Sequence, residues 1–350
     1  MRPEKEVTIY DIARLLNISA ATVSRGLRDH PAINKITRRK IQDLAGQLGY
    51  RSNMFATNLK KKHTHTIGVI VPKLSSYFMS TVIAGMENIA AAEGYNLLIS
   101  QSMESYQKEI GTVQAMFNNR VDGLLVSLSS ETPNLDHFDG FIRKGTPLIF
   151  FDRIKAHGKC MGVAIDNYKA AYEATEHLLE QGCRRIMHIG GNPVCEVYAE
   201  RIRGYKQALT DHKIAVDPKL VLIKNLNEQA GVEAANSILK MKEQPDAVFS
   251  ANDACAIYCM RTLKEAGLNI PDDIAFVGFN NDPMSKVVEP NLSTINYPAY
   301  AMGETAATQL INHLNNLTNI QSTNIILLRA ELVIRQSSRK KKRKNRKLSI

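Results

Sequence analysis

Asp152 and Arg153 stand side by side at the end of the apolar run Pro147–Phe151. A carboxylate beside a guanidinium at a strand end has two uses. It can move a proton, or it can hold the polar groups of a ligand in a cleft. The chain offers little else for catalysis. His188 lies inside the apolar run Arg185–Gly190, where a hydrogen-bonded core histidine is expected rather than a base. Gly190-Gly191-Asn192 lacks the G-x-G-x-x-G spacing of a dinucleotide loop. Gly140–Thr146 has two glycines at P-loop spacing but no lysine after the second, so it cannot clamp a terminal phosphate that way. No G-x-S-x-G elbow and no H-E-x-x-H occurs. The five cysteines are odd in number and irregularly spaced, which is not a disulfide framework. Cys255 and Cys259, four apart, are expected to be buried thiols rather than metal ligands. No cofactor and no metal are expected, and catalysis is disfavoured.

The elements that must position Asp152 are legible as alternation. Apolar runs at Thr66–Pro72, Tyr95–Ser100, Asp122–Leu128 and Pro147–Asp152 are separated by helical stretches at 82–92, 107–118 and 136–144. A second series of strands is expected at Gly162–Asp166, Arg185–Gly190, Asp246–Ser250 and Asp273–Phe279. Short apolar runs alternating with helices imply parallel sheets covered on both faces. Two series imply two Rossmann-like halves, with the ligand in the cleft beyond the C-terminal strand ends. A last helix near Tyr300–Leu314 is expected to cross back to the first half.

Charge separates the chain into parts. Residues 1–62 carry 13 Lys/Arg and 5 Asp/Glu, net +8, and residues 339–350 carry 8 Lys/Arg and no acid. The remaining 24 basic and 29 acidic residues leave 63–338 at −5. The middle should therefore avoid nucleic acid, and the basic first segment should be drawn to phosphate. No apolar run reaches the roughly 18–20 residues needed to span a bilayer. Met1–Glu6 is charged with no apolar leader behind it, so a cytoplasmic, nucleoid-associated protein with no membrane partner is expected.

Within the basic segment, Val7–Leu27 reads as two short helices around a tight turn. Thr8 and Asp11 fit a capping box, and Ile12, Ala13, Leu15 and Leu16 supply an apolar face. Ser19 is a good N-cap for a second helix, Ala20–Leu27, whose Val23 and Leu27 pack back on the first. Thr22, Ser24 and Arg25 are left outward. This is a helix-turn-helix, whose second helix enters a DNA major groove. Thr37 is expected to open a third helix with Ile41, Leu44, Ala45 and Leu48 on one face and Gly49 at its end.

The wording VTIYDIA, then S-x-x-TVSR, closely resembles the lactose/galactose-repressor (LacI/GalR) family of bacterial transcription regulators. The likeness continues through Thr37–Asn53 and through T-x-x-IGVIVP, and runs more loosely to about Gln336. The resemblance implies an N-terminal all-α helix-turn-helix domain plus an α/β periplasmic-binding-protein-like core of two Rossmann-like subdomains. It places the first domain at 1–51, a hinge at 52–65 and the core at 66–336. The subdomains would comprise 66–161 with 293–320, and 162–292 with 321–336. Residues 337–350 would be a basic, disordered tail.

By the same resemblance, Thr8, Tyr10, Ser19, Thr22, Ser24 and Thr37 would position the phosphate backbone, and Arg25 would reach a base edge, where its fork suits guanine. Ala20 and Ala21 occupy the two positions that most often set sequence preference. Asn53, Ala56 and Leu59 would form a hinge whose leucine wedges into the minor groove. Ser52 and Thr57 depart from the usual proline and arginine there. The implied effector contacts are Ser75, Ser76, Phe78, Ser127, Ser129, Asp152, Arg201, Asn252, Asp253 and Asn280. Asn280 stands where many sugar-binding members have Asp, and an amide accepts fewer hydroxyls than a carboxylate.

The function so implied is a homodimeric, sequence-specific repressor of a two-fold symmetric DNA operator, with a small-molecule effector such as a sugar in the cleft. Two rivals are a small-molecule binding protein or enzyme without specific DNA binding, and a regulator controlled by a protein partner. Arg339–Lys347, eight basic residues in nine, reads either as a solvated tail or as a non-specific phosphate contact.

Overall fold

The computed structural model describes residues 7–50, 63–155, 158, 160–322 and 324–340. Two compact units divide the chain between Thr64 and His65.

The first unit is built on three helices, α1 (Ile9–Leu16), α2 (Ala20–Leu27) and α3 (Lys35–Gln47). The Asp11 carboxylate accepts from both the N–H (3.0 Å) and the hydroxyl (2.7 Å) of Thr8. Asn17 ends α1 in the left-handed region, φ 51°, which turns the chain sharply. Ser19 Oγ accepts from Thr22 N–H at 3.1 Å and starts α2. Ile12, Val23 and Ile41 are fully buried between the helices. Gly26 permits the close crossing of α2 and α3, since a Cβ there would sit 2.4 Å from Ile41 Cδ1. Two local expectations are corrected. Leu15 is 62% exposed, because the helical period puts Ile12, Ala13 and Leu16 on the buried face and Leu15 beside it. Thr37 does not open α3, because Asn34 caps it two residues earlier through Ile36 N–H, 2.9 Å.

The second unit runs β1 (Thr66–Val71), α4 (Tyr77–Ala92), β2 (Asn96–Gln101), α5 (Tyr106–Asn118), β3 (Gly123–Val126), α6 (Asp139–Lys144), β4 (Leu148–Phe151), β5 (Met161–Ile165) and α7 (Asn167–Glu180). It continues with β6 (Ile186–Gly190), α8 (Glu196–Asp211), β7 (Val221–Ile223), α9 (Glu228–Leu239), β8 (Ala247–Ser250), α10 (Asp253–Glu265), β9 (Ala275–Asn280) and β10 (Ser293–Asn296). Helix α11 (Ala299–Leu314), β11 (Ile325–Leu328) and β12 (Glu331–Val333) complete it.

One sheet has the order β2-β1-β3-β4-β5-β11, all parallel, and the other β7-β6-β8-β9-β10-β12, parallel except for the last pair. Central strands such as β3, β4, β6 and β8 are buried throughout, as expected of parallel strands covered on both faces. This is the two-halved α/β core anticipated, but its division differs from the subdomain boundaries expected. Strand β5 joins the first sheet rather than opening the second, and β11 also belongs to the first sheet. Strand β10 belongs to the second sheet. A buried apolar run carries no mark of which sheet it enters; pairing with distant strands decides it. The chain thus changes sheets after β5, after β10 and after β11. Helix α11 does return to the first half, where backbone meets backbone on α4. A Cβ on Gly303 would lie 1.9 Å from Val82 O.

Candidate functional site

The three-helix unit carries one candidate surface. Arg25 is exposed on α2, and its guanidinium makes no hydrogen bond among the described residues. Tyr10 is 68% exposed, and Ser19, Ala21 and Thr8 are exposed beside it. Ala20, Thr22, Ser24 and Thr37 are half-buried. The Ser19 and Thr22 hydroxyls lie 2.8 Å apart, and the Thr8 hydroxyl donates to Asp11. These hydroxyls must turn outward to donate to phosphate, whereas the arginine fork is available at once. Asn53, Ala56 and Leu59 lie outside the described residues.

The second candidate is a cleft of about 160 Å³ at the C-terminal ends of both sheets. Asp152 follows β4 with φ 59°, a costly conformation for a non-glycine residue and one that aims its side chain into the cleft. Its carboxylate accepts from Tyr297 OH (2.9 Å) and Ser127 Oγ (3.2 Å). Burial pushes the Asp152 carboxyl above its usual range, against the opposing pull of Arg153 and Arg201.

Arg153 makes a two-pronged pair with Glu104, 2.7 and 3.0 Å, and donates to Tyr198 OH at 3.2 Å across the cleft. Burial raises the Glu104 carboxyl, but Arg153 and the backbone of Ser130 outweigh it and hold the group below its usual value. Arg201 reaches the cleft from α8. Its Nε donates to Asn167 Oδ1 (2.9 Å), and its Nη1 donates to Ala251 O (2.8 Å). The Phe279 ring lies 3.5 Å beneath it. That leaves Nη2 without a hydrogen-bond partner among the described residues, available for a ligand acceptor. Asn280, φ 112°, presents its amide at the rim.

Of the ten expected effector contacts, Ser76, Phe78, Asp152, Arg201, Asn252 and Asn280 line this cavity. Four do not. Ser75 is exposed in the loop before α4. Ser127 lies beneath Asp152 and orients it. Ser129 Oγ accepts from Glu131 N–H, and its own N–H is held by buried Glu109. Asp253 is fully buried and turned away, accepting from Thr294 Oγ1 (2.6 Å) and Asp282 N–H (2.8 Å). The rule that ligands sit at strand ends located these positions but did not say which side chains point outward. Glu104, Tyr198 and Tyr297 line the cavity and were not foreseen. Glu104 was accessible by the same rule, because it follows β2. His188 is the core histidine expected: Nδ1 bonds Phe249 O at 3.0 Å, and burial drives its pKa down to about 3.

Among the described residues no cluster of three or more metal-binding side chains occurs, and no helix is long and apolar enough to cross a membrane. All five cysteines are buried thiols.

Residues 8–53 match bacterial regulatory proteins of the lacI family, and residues 175–338 match the periplasmic binding protein-like domain. The chain is 31% identical to catabolite control protein A of Priestia megaterium over 334 residues, covering 95% of this chain and 99% of that protein. It is 31% identical to the HTH-type transcriptional repressor CytR of Escherichia coli K12 over 341 residues, covering 97% and 98%. In fold it is similar to the lac repressor dimer bound to operator and the anti-inducer ONPF. The TM-score is 0.83 at 24% identity, covering 95% of this chain and 99% of that one.

Proposed function

The chain belongs to the LacI family of bacterial regulatory proteins, and from that premise we propose that it is a homodimeric transcriptional repressor whose operator affinity is set by a small molecule in the Asp152–Arg201 cleft. The observation that carries this reading is the coexistence of two sites in one chain. An exposed arginine stands on a Ser19-capped recognition helix, and a cleft between two sheets holds an arginine with an open donor.

In the dimer, α2 of each subunit would enter one half-site of a two-fold symmetric operator. Arg25 would supply base contact, and Thr8, Tyr10, Ser19, Thr22, Ser24 and Thr37 would set register on the phosphates. The cleft would take a sugar or related polyhydroxyl metabolite. Asp152 accepts its hydroxyls, Arg201 Nη2 donates to its oxygens, and Asn252 and Asn280 complete the polar wall. Phe78 and Tyr297 supply the apolar faces on which a ring can lie. A ligand that prefers one angle between the sheets shifts operator affinity, and operator shifts ligand affinity by the same factor. The relatives are regulators, and the cleft acids are engaged by Tyr297, Ser127 and Arg153, so we assign no catalytic step. Action on DNA places the protein in the cytoplasm, at the nucleoid.

The test is a thermal-shift screen of neutral sugars, nucleosides and sugar phosphates, followed by operator titration with each hit. A ligand that stabilises the wild type and changes operator affinity, with both effects lost in Asp152→Ala, is the expected result. Ligand responses that are unchanged in Asp152→Ala would remove the cleft from the mechanism.

A further inference from the structure

Arg153 and Tyr198 meet across the cleft and have no part in the ligand contacts assigned above. Arg153 is fixed on the first half. Glu104 takes its guanidinium in two prongs, and Leu128 O accepts from Nη1 at 3.4 Å. The Glu104 carboxylate is itself held by Ser130 N–H at 3.0 Å. Tyr198 is fixed on the second half, in the first turn of α8. Its ring lies over Gly191, where a Cβ would come within 2.5 Å of it. From these two mounts Arg153 Nη2 donates to Tyr198 OH at 3.2 Å, and the guanidinium carbon stands 5.6 Å from the ring centre.

This clasp divides the cleft. On one side lies the chamber of about 160 Å³ that holds Asp152, Arg201 and Asn280. On the other lies a second chamber of about 290 Å³, lined by Met103, Glu131, Asn192, Lys224 and Asn227. Glu104 and Tyr198 line both chambers and stand between them. A cavity of about 150 Å³ is enough for one six-membered carbon ring. The Asp152 chamber therefore takes about one ring, and a second ring finds space only in the other chamber, past Tyr198.

We propose that Arg153 and Tyr198 select the ligand by length: their clasp closes over a single-ring polyhydroxyl ligand and excludes a two-ring one. This selection rests on the cleft being the ligand site proposed above. A one-ring ligand leaves the Arg153–Tyr198 bond intact and adds its own contacts inside a closed cleft. A two-ring ligand must break a hydrogen bond from a charged donor, which costs it about tenfold or more in affinity. In the empty protein the same bond ties one half to the other and makes local opening of the cleft rarer.

Two measurements on the full chain test this, and the first needs no ligand. Cys195 is buried at the N-cap of α8, three residues before Tyr198, and burial pushes its thiol pKa up against the pull of neighbouring Arg153. Labelling of Cys195 by methyl methanethiosulfonate, read by peptide mass spectrometry, reports opening at the clasp, and fully buried Cys183 and Cys255 report global unfolding. Tyr198→Phe keeps the ring and loses the hydroxyl, so Cys195 should label about tenfold faster or more, with Cys183 and Cys255 unchanged. Equal Cys195 rates in wild type and Tyr198→Phe overturn the clasp. The second measurement is calorimetry with D-glucose, D-galactose and D-ribose against maltose, cellobiose and lactose. Wild type should favour the one-ring sugars. Tyr198→Ala, which joins the two chambers, should move the ratio of two-ring to one-ring affinity about tenfold or more toward two rings. A ratio unchanged in Tyr198→Ala overturns the length selection while leaving the ligand site in place. Binding of none of the six sugars by either chain overturns the length selection and the proposed ligand class together.

Discussion

Asp253 offers a quantitative test of how the cleft wall is supported. It is fully buried at the start of α10, accepts from Thr294 Oγ1 and Asp282 N–H, and burial lifts its pKa to about 8. An unfolded Asp titrates near ~3.9. Between those values the folded state holds a proton that the unfolded state has released, so stability falls as pH rises. The full span corresponds to about 6 kcal/mol as an upper bound, at ~1.4 kcal/mol per pH unit.

Neighbouring titrations must be kept out of the window. Asp282, lifted by burial to about 6, acts in the same direction below that pH. His188, pushed down to about 3, and His177, also lowered by burial, act in the opposite direction below ~6.5. From pH 6.7 to 7.7, Asp253 should therefore remove about 1 kcal/mol of stability. In Asp253→Asn the amide NH₂ can donate to Thr294 Oγ1, reversing that hydrogen bond as a protonated carboxyl can, while its oxygen still accepts from Asp282 N–H. That variant should match the wild type near pH 6.7 and exceed it by about 1 kcal/mol at pH 7.7. Asp253→Ala removes both hydrogen bonds, leaves Asp282 N–H unpaired and should cost about 2–4 kcal/mol at either pH. Urea unfolding followed by circular dichroism suits a chain without tryptophan. Parallel pH dependences for wild type and Asp253→Asn would refute the assignment of a proton to this carboxyl.

Other expectations follow from the same geometry. Gly303→Ala should destabilise the core by about 3 kcal/mol, because its Cβ would meet backbone, Val82 O, rather than a yielding side chain; a near-neutral melting temperature would contradict the α4–α11 crossing. Arg201→Lys loses the fork that spans Asn167 and Ala251 and the stacking on Phe279, so calorimetry should show ligand affinity reduced at least ~10-fold. Arg25→Ala should cost about 1–3 kcal/mol of operator binding with the core's melting transition unchanged; gel-shift titration at fixed salt reads it.

Much of this architecture is legible in the amino-acid sequence. Helix starts at Thr8 and Ser19 follow from local chemistry, since a small oxygen-bearing side chain before an apolar period has one obvious use. Alternating apolar runs gave the two α/β halves because that signal is also local. Strand membership was not legible. Ile325–Leu328 enters the first sheet by pairing with Met161–Ile165, more than 150 positions away, and Met161–Ile165 is held there by pairing with β4. The short, half-exposed β7 carries too few residues to register as a strand. The candidate site divides the same way. Asp152 and Arg201 were found from strand-end position and resemblance. Asp253, one residue after a true cavity residue, was misassigned because orientation at a helix start changes with every residue. Tyr198 comes from a helix face, which strand-end reasoning does not reach, and Tyr297 directly follows β10, a strand that the apolar pattern did not reveal.

The most direct measurement is retention of genomic DNA fragments, including the gene's own upstream region, by the purified protein at two salt concentrations. Selective retention of a fragment bearing an inverted repeat, persisting at the higher salt and lost in Arg25→Ala, is the result this account requires. Salt-sensitive retention of every fragment alike, unchanged in Arg25→Ala, would contradict it.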